Sequence, residues 1–142
     1  MPDACVLDTH AWVAAVVGPE RLPRRAQRIA QRADTLHVPA ICTYELALLA
    51  SRGRVTPADP HEPLSHWMAR ALSGRLMLAP LDATIAMRAA ALRDEGFHRD
   101  PADALIYATA HVLDLPLITG DRAIHAFEDR LPSKAPHRAV WD

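Results

Sequence analysis

Four acidic residues stand where strands are expected to end or helices to begin: Asp8, Glu45, Asp103 and Asp121. Asp8 closes the apolar run Ala4 to Leu7, and Asp121 follows Leu117-Ile118-Thr119-Gly120. Two carboxylates from opposite halves of the chain are therefore expected at one edge of a sheet. Asp103 falls in the first turn of a helix opened by Asp100-Pro101, and Glu45 lies one turn into the helix after the second strand. Both helices begin at that same edge. Carboxylates gathered this closely raise one another's pKa and repel unless a cation is present. Oxygen ligands with retained waters suit a hard divalent ion, Mg²⁺ or Mn²⁺, and such an ion suits phosphodiester hydrolysis.

Each acid also has a plainer role open to it. An Asp after a strand is a common helix N-cap, which suits Asp8, Asp121 and above all Asp100 beside Pro101. An isolated Glu is ordinarily a solvated helix face, but Glu45 is the only charge between Val38 and Ala50. An unpaired carboxylate in so apolar a stretch is costly. Asp100 reads as a cap that assists the site from outside it.

The elements that must position these residues follow from apolar runs and breakers. Strands are expected at 4–7, 36–38, 76–79, 117–119 and 139–141, each short and stopped by Asp, Pro or Gly. Helices are expected from Trp12 to Val17, from Pro23 to Arg32, from Ile41 to Ser51 and from Leu64 to Ser73. Further ones run from Asp82 or Thr84 to Glu95, from Pro101 to Leu113 and from Arg122 to Glu128, with Gly53, Gly74 and Gly96 as stops. Strands alternating with helices imply right-handed crossovers, a parallel sheet and helices on both faces. Ligands of such a sheet gather at the carboxyl ends of its strands, where these acids stand.

Composition narrows the class. The chain has 142 residues, 50% hydrophobic and 23% charged, with a formal net charge of −1, which fits one soluble domain over residues 1–142 and excludes a generally basic nucleic-acid coat. Cys5 and Cys42 are too few for a disulfide framework, so a reducing cytoplasm is expected. The apolar stretch after Asp8 is too short for a signal segment or a span, so no membrane association is expected. The 8 His show no zinc-like spacing, and His10, the one near the acids, is expected to pack or hydrogen-bond. Arg21, Arg25, Arg28 and Arg32 recur at helical spacing and could track an RNA backbone, although a charge run is more often a solvated face.

Taken together, Asp8-Thr9-His10 after a short strand, Glu45 within Tyr-Glu-Leu-Ala-Leu-Leu, Asp100-Pro101-Ala102-Asp103 and Leu117-Ile118-Thr119-Gly120-Asp121 resemble the PIN-domain ribonucleases. The nearest resemblance is to the toxin half of VapBC-type toxin–antitoxin pairs. It implies a five-stranded parallel sheet, a Mg²⁺ or Mn²⁺ site, and endonucleolytic cleavage of RNA. Carried over by motif, Asp8, Asp103 and Asp121 would hold the metal, Glu45 would orient or deprotonate the attacking water, and Thr119 would support that shell. Water attack would leave a 5′-phosphate and a 3′-hydroxyl. The chain departs from the family in having Ala104 where members often carry Arg, which removes one salt bridge or RNA contact. The resemblance also implies an antitoxin covering the acidic groove and a homodimer, for which Trp12, Val13, Val16, Val17, Leu46, Leu49 and Ala50 offer apolar surface if the core leaves them free. The competing reading is a catalytically silent RNA- or protein-binding module of the same fold, against which the intact quartet argues.

Overall fold

The computed structural model describes residues 3–142; Met1 and Pro2, which the one-domain expectation includes, lie outside them. Five strands form one sheet: β1 (Ala4–Leu7), β2 (Thr35–Pro39), β3 (Leu76–Ala79), β4 (Leu117–Ile118) and β5 (Ala139–Val140). Their order is β3-β2-β1-β4-β5 and every pairing is parallel. Parallel neighbours need crossovers. These come from α1 (Thr9–Val17), α2 (Arg24–Arg32), α3 (Ala40–Ser51), α4 (Leu64–Ala71), α5 (Ala83–Asp94), α6 (Pro101–Leu113) and α7 (Arg122–Asp129).

Strand β1 is central, and Cys5, Val6 and Leu7 have no exposure, so its sequence is an unbroken apolar run rather than an alternating one. From β1 the chain steps outward through β2 to β3, then returns to the other side of β1 for β4 and β5. The strand order therefore reverses between β1 and β4, and an open parallel sheet binds its ligands in the crevice at such a reversal. Asp8 leaves β1 at that crevice, and Thr119 to Asp121 leave β4 there.

Several boundaries differ from expectation for local reasons. Helix α1 starts at Thr9 rather than Trp12 because Asp8 caps it. Arg21 does not share the α2 face: it ends a 3₁₀ turn over Pro19–Arg21, and Leu22 and Pro23 are extended before α2 begins. Proline biases the residue before it away from helix, so the continuous basic face reduces to Arg25, Arg28 and Arg32. Strands β4 and β5 each stop one residue early, leaving Thr119 and Trp141 beyond the strand ends.

Of the residues that could have served core or surface, Trp12 and Leu46 are fully buried, while Val17 is 55% exposed. Trp12 donates its indole N–H to the Ala71 carbonyl at 2.8 Å. Cys5 and Cys42 are buried free thiols, and burial pushes both up to about 12, which makes them packing residues rather than nucleophiles.

Candidate active site

Asp8 is 8% exposed. Its Oδ1 accepts from the Ala11 backbone N–H at 2.7 Å and its Oδ2 from the Thr119 hydroxyl at 2.5 Å. One carboxylate thus caps a helix and faces the crevice at once. Burial pushes its pKa up, the Thr119 and Ala11 hydrogen bonds pull it back, and the Asp121 charge adds to the rise. Thr119 is fully buried and also accepts from the Asp121 N–H at 3.1 Å, tying the ends of β1 and β4 together.

Asp121 repeats the pattern: its Oδ1 caps α7 by accepting from Ala123 and Ile124 N–H at 2.8 and 3.2 Å. Asp100 caps α6 through Ala102 and Asp103 N–H at 2.9 and 3.2 Å, the capping role its Pro101 neighbour suggested. Asp103, one turn into that helix, is half-buried, and burial lifts its pKa to about 6. Asp121 and Asp100 add to the rise while the bond from His98 opposes it. Glu45 comes from α3, where its Oε1 accepts from the Thr9 hydroxyl at 2.6 Å.

All four acids and Asp100 line one cleft of about 530 Å³. Arg52 is the one Arg or Lys among its lining residues. Among the described residues none of the four acids forms an ion pair with Arg or Lys. They are oriented by hydroxyls, backbone N–H groups and an imidazole, and Arg52, which shares the cleft, is not paired to any of them. A carboxylate accepts at about four lone-pair positions, so even the twice-bonded Asp8 has capacity left. This donor set fits a hard divalent cation, which would offset part of the acids' mutual repulsion.

Three neighbours of the acids escaped sequence reasoning. His98 Nε2 lies 2.6 Å from Asp103 Oδ2, and its ring stacks on Phe97 at 4.3 Å between centroids and 26° between planes. Its Nδ1 is buried without a partner, so the tautomer with the proton on Nε2, which leaves only a lone pair there, is the less costly one. His98 Nε2 and carboxylate oxygens of Asp103 and Asp121 all lie within 4.8 Å of one another. A search for zinc-like spacing passes over His98; its signal was its place just before the Asp100-Pro101 turn. Thr9 is the Glu45 partner, and Trp141 lines the cleft beside Gly120. His10 is exposed on the cleft wall rather than packed, because Asp8 starts α1 at once and turns the third residue of the motif outward.

Residues 5–129 match the PIN domain. The chain belongs to the PIN-domain family. It is 34% identical over 127 residues to Ribonuclease VapC22 of Mycobacterium tuberculosis (strain ATCC 25618 / H37Rv), covering 89% of this chain and 94% of that one. Solved PIN-fold neighbours include VapBC2 from Rickettsia felis bound to a DNA fragment from its promoter, at TM-score 0.64 and 20% identity over 98% of this chain and 99% of that one. VapBC-5 from Mycobacterium tuberculosis aligns at TM-score 0.60 and 23% identity, over 91% and 94% of the two chains. These structural likenesses concern the fold. In this PIN domain the acids meet at the reversal point of the sheet, and Ala104, where Arg was the family expectation, is buried at 4% exposure.

Proposed function

We propose that this PIN domain is a metal-dependent endoribonuclease and the toxin half of a VapBC-type pair. The observation that carries the reading is a cleft in which Asp8, Glu45, Asp103 and Asp121 converge with, among the described residues, no Arg or Lys paired to any of them. Mutually repelling acids weaken a fold that has no use for them, which speaks against a silent binding module. Kinship with a ribonuclease over nearly the whole chain supplies the substrate class.

Asp8, Asp103 and Asp121 would hold the divalent ion, Mg²⁺ or Mn²⁺. When bound, that ion supplies Lewis-acid polarisation of the phosphodiester and lowers the pKa of water. Glu45, fixed through its Oε1 by Thr9, has its other oxygen to orient the attacking water and take its proton. Thr119 keeps Asp8 aimed, and Asp100 sets the start of α6 so that Asp103 faces the cleft. The 3′ oxygen leaves, giving a 5′-phosphate and a 3′-hydroxyl. The exposed arginines of α2, Arg25, Arg28 and Arg32, with Arg21 nearby, would steer the RNA backbone.

An antitoxin would silence the site most economically by covering the cleft and placing an Arg among the carboxylates, since a guanidinium meets carboxylates in bidentate fashion. The half-buried Val13 and Val16, with exposed Val17, belong to the surface available to an antitoxin or a second copy in a homodimer. No helix among the described residues is long and apolar enough to cross a membrane, and the proposed setting is the cytoplasm.

The test is cleavage of a mixed cellular RNA pool with Mg²⁺, with Mn²⁺ and with EDTA, using wild type and folded Asp8→Asn and Asp103→Asn proteins. Discrete cuts that disappear in EDTA and in both variants are expected. Cuts that persist in EDTA, or 2′,3′-cyclic phosphate ends, would contradict water attack at this centre.

A further inference from the structure

Among the described residues Trp141 is the one Trp, Tyr or Phe lining the acidic cleft, and it stands beyond the end of β5. A β-carbon on Gly120 would lie 2.8 Å from Cε2 of its indole, closer than carbons approach, so only glycine lets the ring sit beside the residue that precedes Asp121. The ring is half-buried: part of it packs on the core and part borders the cleft.

The segment carrying it is held on both sides. The pairing of β4 with β5 spans only Leu117 with Ala139 and Ile118 with Val140. To this the chain adds Glu128, which is 2% exposed. Its carboxylate accepts from the Arg138 and Ala139 backbone N–H groups at 2.6 and 2.9 Å and from the Tyr107 hydroxyl at 2.8 Å. After the ring, the Asp142 carbonyl accepts from the Arg25 N–H at 2.9 Å. The indole is therefore fixed in place before any ligand arrives, and ordering it on binding costs little.

We propose that Trp141 is a stacking platform for one nucleobase of single-stranded RNA next to the scissile phosphate, with Arg52 as the cation available to a neighbouring phosphate. Every base has a π face, so an aromatic ring grips single-stranded RNA with little sequence preference, while an arginine neutralises the backbone. The platform sits beside Asp121, so a base stacked there places its own sugar–phosphate at the carboxylates. This assignment rests on the ribonuclease reading and deepens it by naming the part of the RNA that is gripped.

The test is binding of short labelled single-stranded RNA in EDTA, where binding is read apart from cleavage, by wild type, Trp141→Leu and Trp141→Phe. Trp141→Leu should weaken binding about tenfold, the usual effect of losing one stacked base, and Trp141→Phe should restore most of it. Replacing one nucleotide with an abasic residue should cost wild type a similar factor at one position and cost Trp141→Leu nothing further there. A ring that only braces the fold would not produce that coupling. If Trp141→Leu does not fold, RNA-dependent quenching of indole emission that is present in wild type and lost in Trp141→Phe carries the same information. A wild type that cuts RNA yet shows neither coupling nor quenching overturns the platform alone. One that neither binds nor cuts RNA overturns the ribonuclease reading and the platform together.

Discussion

Glu128 and Asp8 are both buried carboxylates, 2% and 8% exposed, in opposite chemical circumstances. Glu128 receives a tyrosine hydroxyl and two backbone N–H groups that converge from α6 and the start of β5. With three donors on one carboxylate, it serves as a clamp. Asp8 receives two donors, but it shares its cleft with Glu45, Asp103 and Asp121, and among the described residues no Arg or Lys pairs with any of the four. Burial of charge is common to the two regions. What separates them is surplus: several carboxylates with acceptor capacity left over share one cleft, where an added cation could bind.

The largest expected difference is catalytic. Asp103→Asn and Asp8→Asn should each lower RNA cleavage by at least about a hundredfold, because the charge stabilisation a bound metal gives is worth several kcal/mol. Glu128→Gln should still cut once the protein is in saturating excess over the RNA. Single-turnover cleavage with excess protein makes the comparison, and a Glu128→Gln protein as inactive as Asp103→Asn would erase it.

Stability should run the other way. Glu128→Ala removes a charged acceptor from one buried and two part-buried donors, and hydrogen bonds to charged groups are worth about 1.5–3 kcal/mol each. A loss of about 3 kcal/mol or more in urea unfolding is expected for the metal-free protein. Asp103→Asn should unfold no more easily than wild type, since it removes repulsion. Equal losses would mean that the quartet also holds the fold together.

The sequence exposed one of these regions far better than the other. The quartet was legible because strand ends and helix starts are punctuated by short-range signals: an apolar run stopped by Asp8, the Asp100-Pro101 opening of α6, and the Gly120-Asp121 exit from β4. A parallel sheet then carries all of them to one edge. Glu128 sits near the end of a short amphipathic helix and looks like any surface Glu, because its partners Tyr107, Arg138 and Ala139 lie 10 to 21 positions away. Trp141 was hidden for the same reason, since it presses against the sequence-distant Gly120. His98 escaped although Phe97 and Asp103 are close to it in sequence, because a stacked ring and a single His–Asp bond leave no periodic trace. The placement of Arg21 on the α2 face failed on a local signal that was present, the extended bias that Pro23 imposes on Leu22.

The pH dependence of stability sharpens the contrast. Asp103 has its pKa raised from 3.8 to about 6 in the folded protein. Between those values the folded protein holds a proton that the unfolded chain has released. Stability of the metal-free protein therefore falls as pH rises through about 4 to 6, because the unfolded state binds fewer protons there. Urea unfolding across that range should show the fall for wild type and less of it for Asp103→Asn. Saturating Mn²⁺ or Mg²⁺ should flatten it, because the ion provides the charge the proton otherwise supplies. No such change between the two proteins would mean that Asp103 is more solvated than its burial implies.

A smaller effect is expected at His98, whose bond to Asp103 Oδ2 fixes which oxygen is left for the metal. Groups that orient a ligand typically change metal affinity by about tenfold or more when removed. Calorimetric titration with Mn²⁺ should show that loss for His98→Ala and a partial recovery for His98→Gln, whose amide can donate to the same oxygen. Unchanged affinity in His98→Ala would leave the other hydrogen bonds of the cleft sufficient to aim Asp103.

The smallest effects belong to the basic face of α2. Arg25, Arg28 and Arg32 are exposed, and the Arg25 guanidinium lies 3.7 Å from the Asp142 carboxylate with both side chains largely in water, a pairing that contributes little. In the ribonuclease proposed above these arginines would meet RNA phosphates, and α2 begins where its Arg25 N–H holds the carbonyl just past Trp141. A strand leaving the cleft over that ring would meet this helix next. Arg28→Ala and Arg32→Ala should each weaken RNA binding only a few-fold at low salt, equally for all sequences. Each should also reduce the slope of log affinity against log salt by about one. Arg21→Ala, displaced from the face by the Leu22-Pro23 kink, should change the slope less. If all three variants keep the wild-type slope, the α2 arginines are a solvated helix face and the cleft alone holds the RNA.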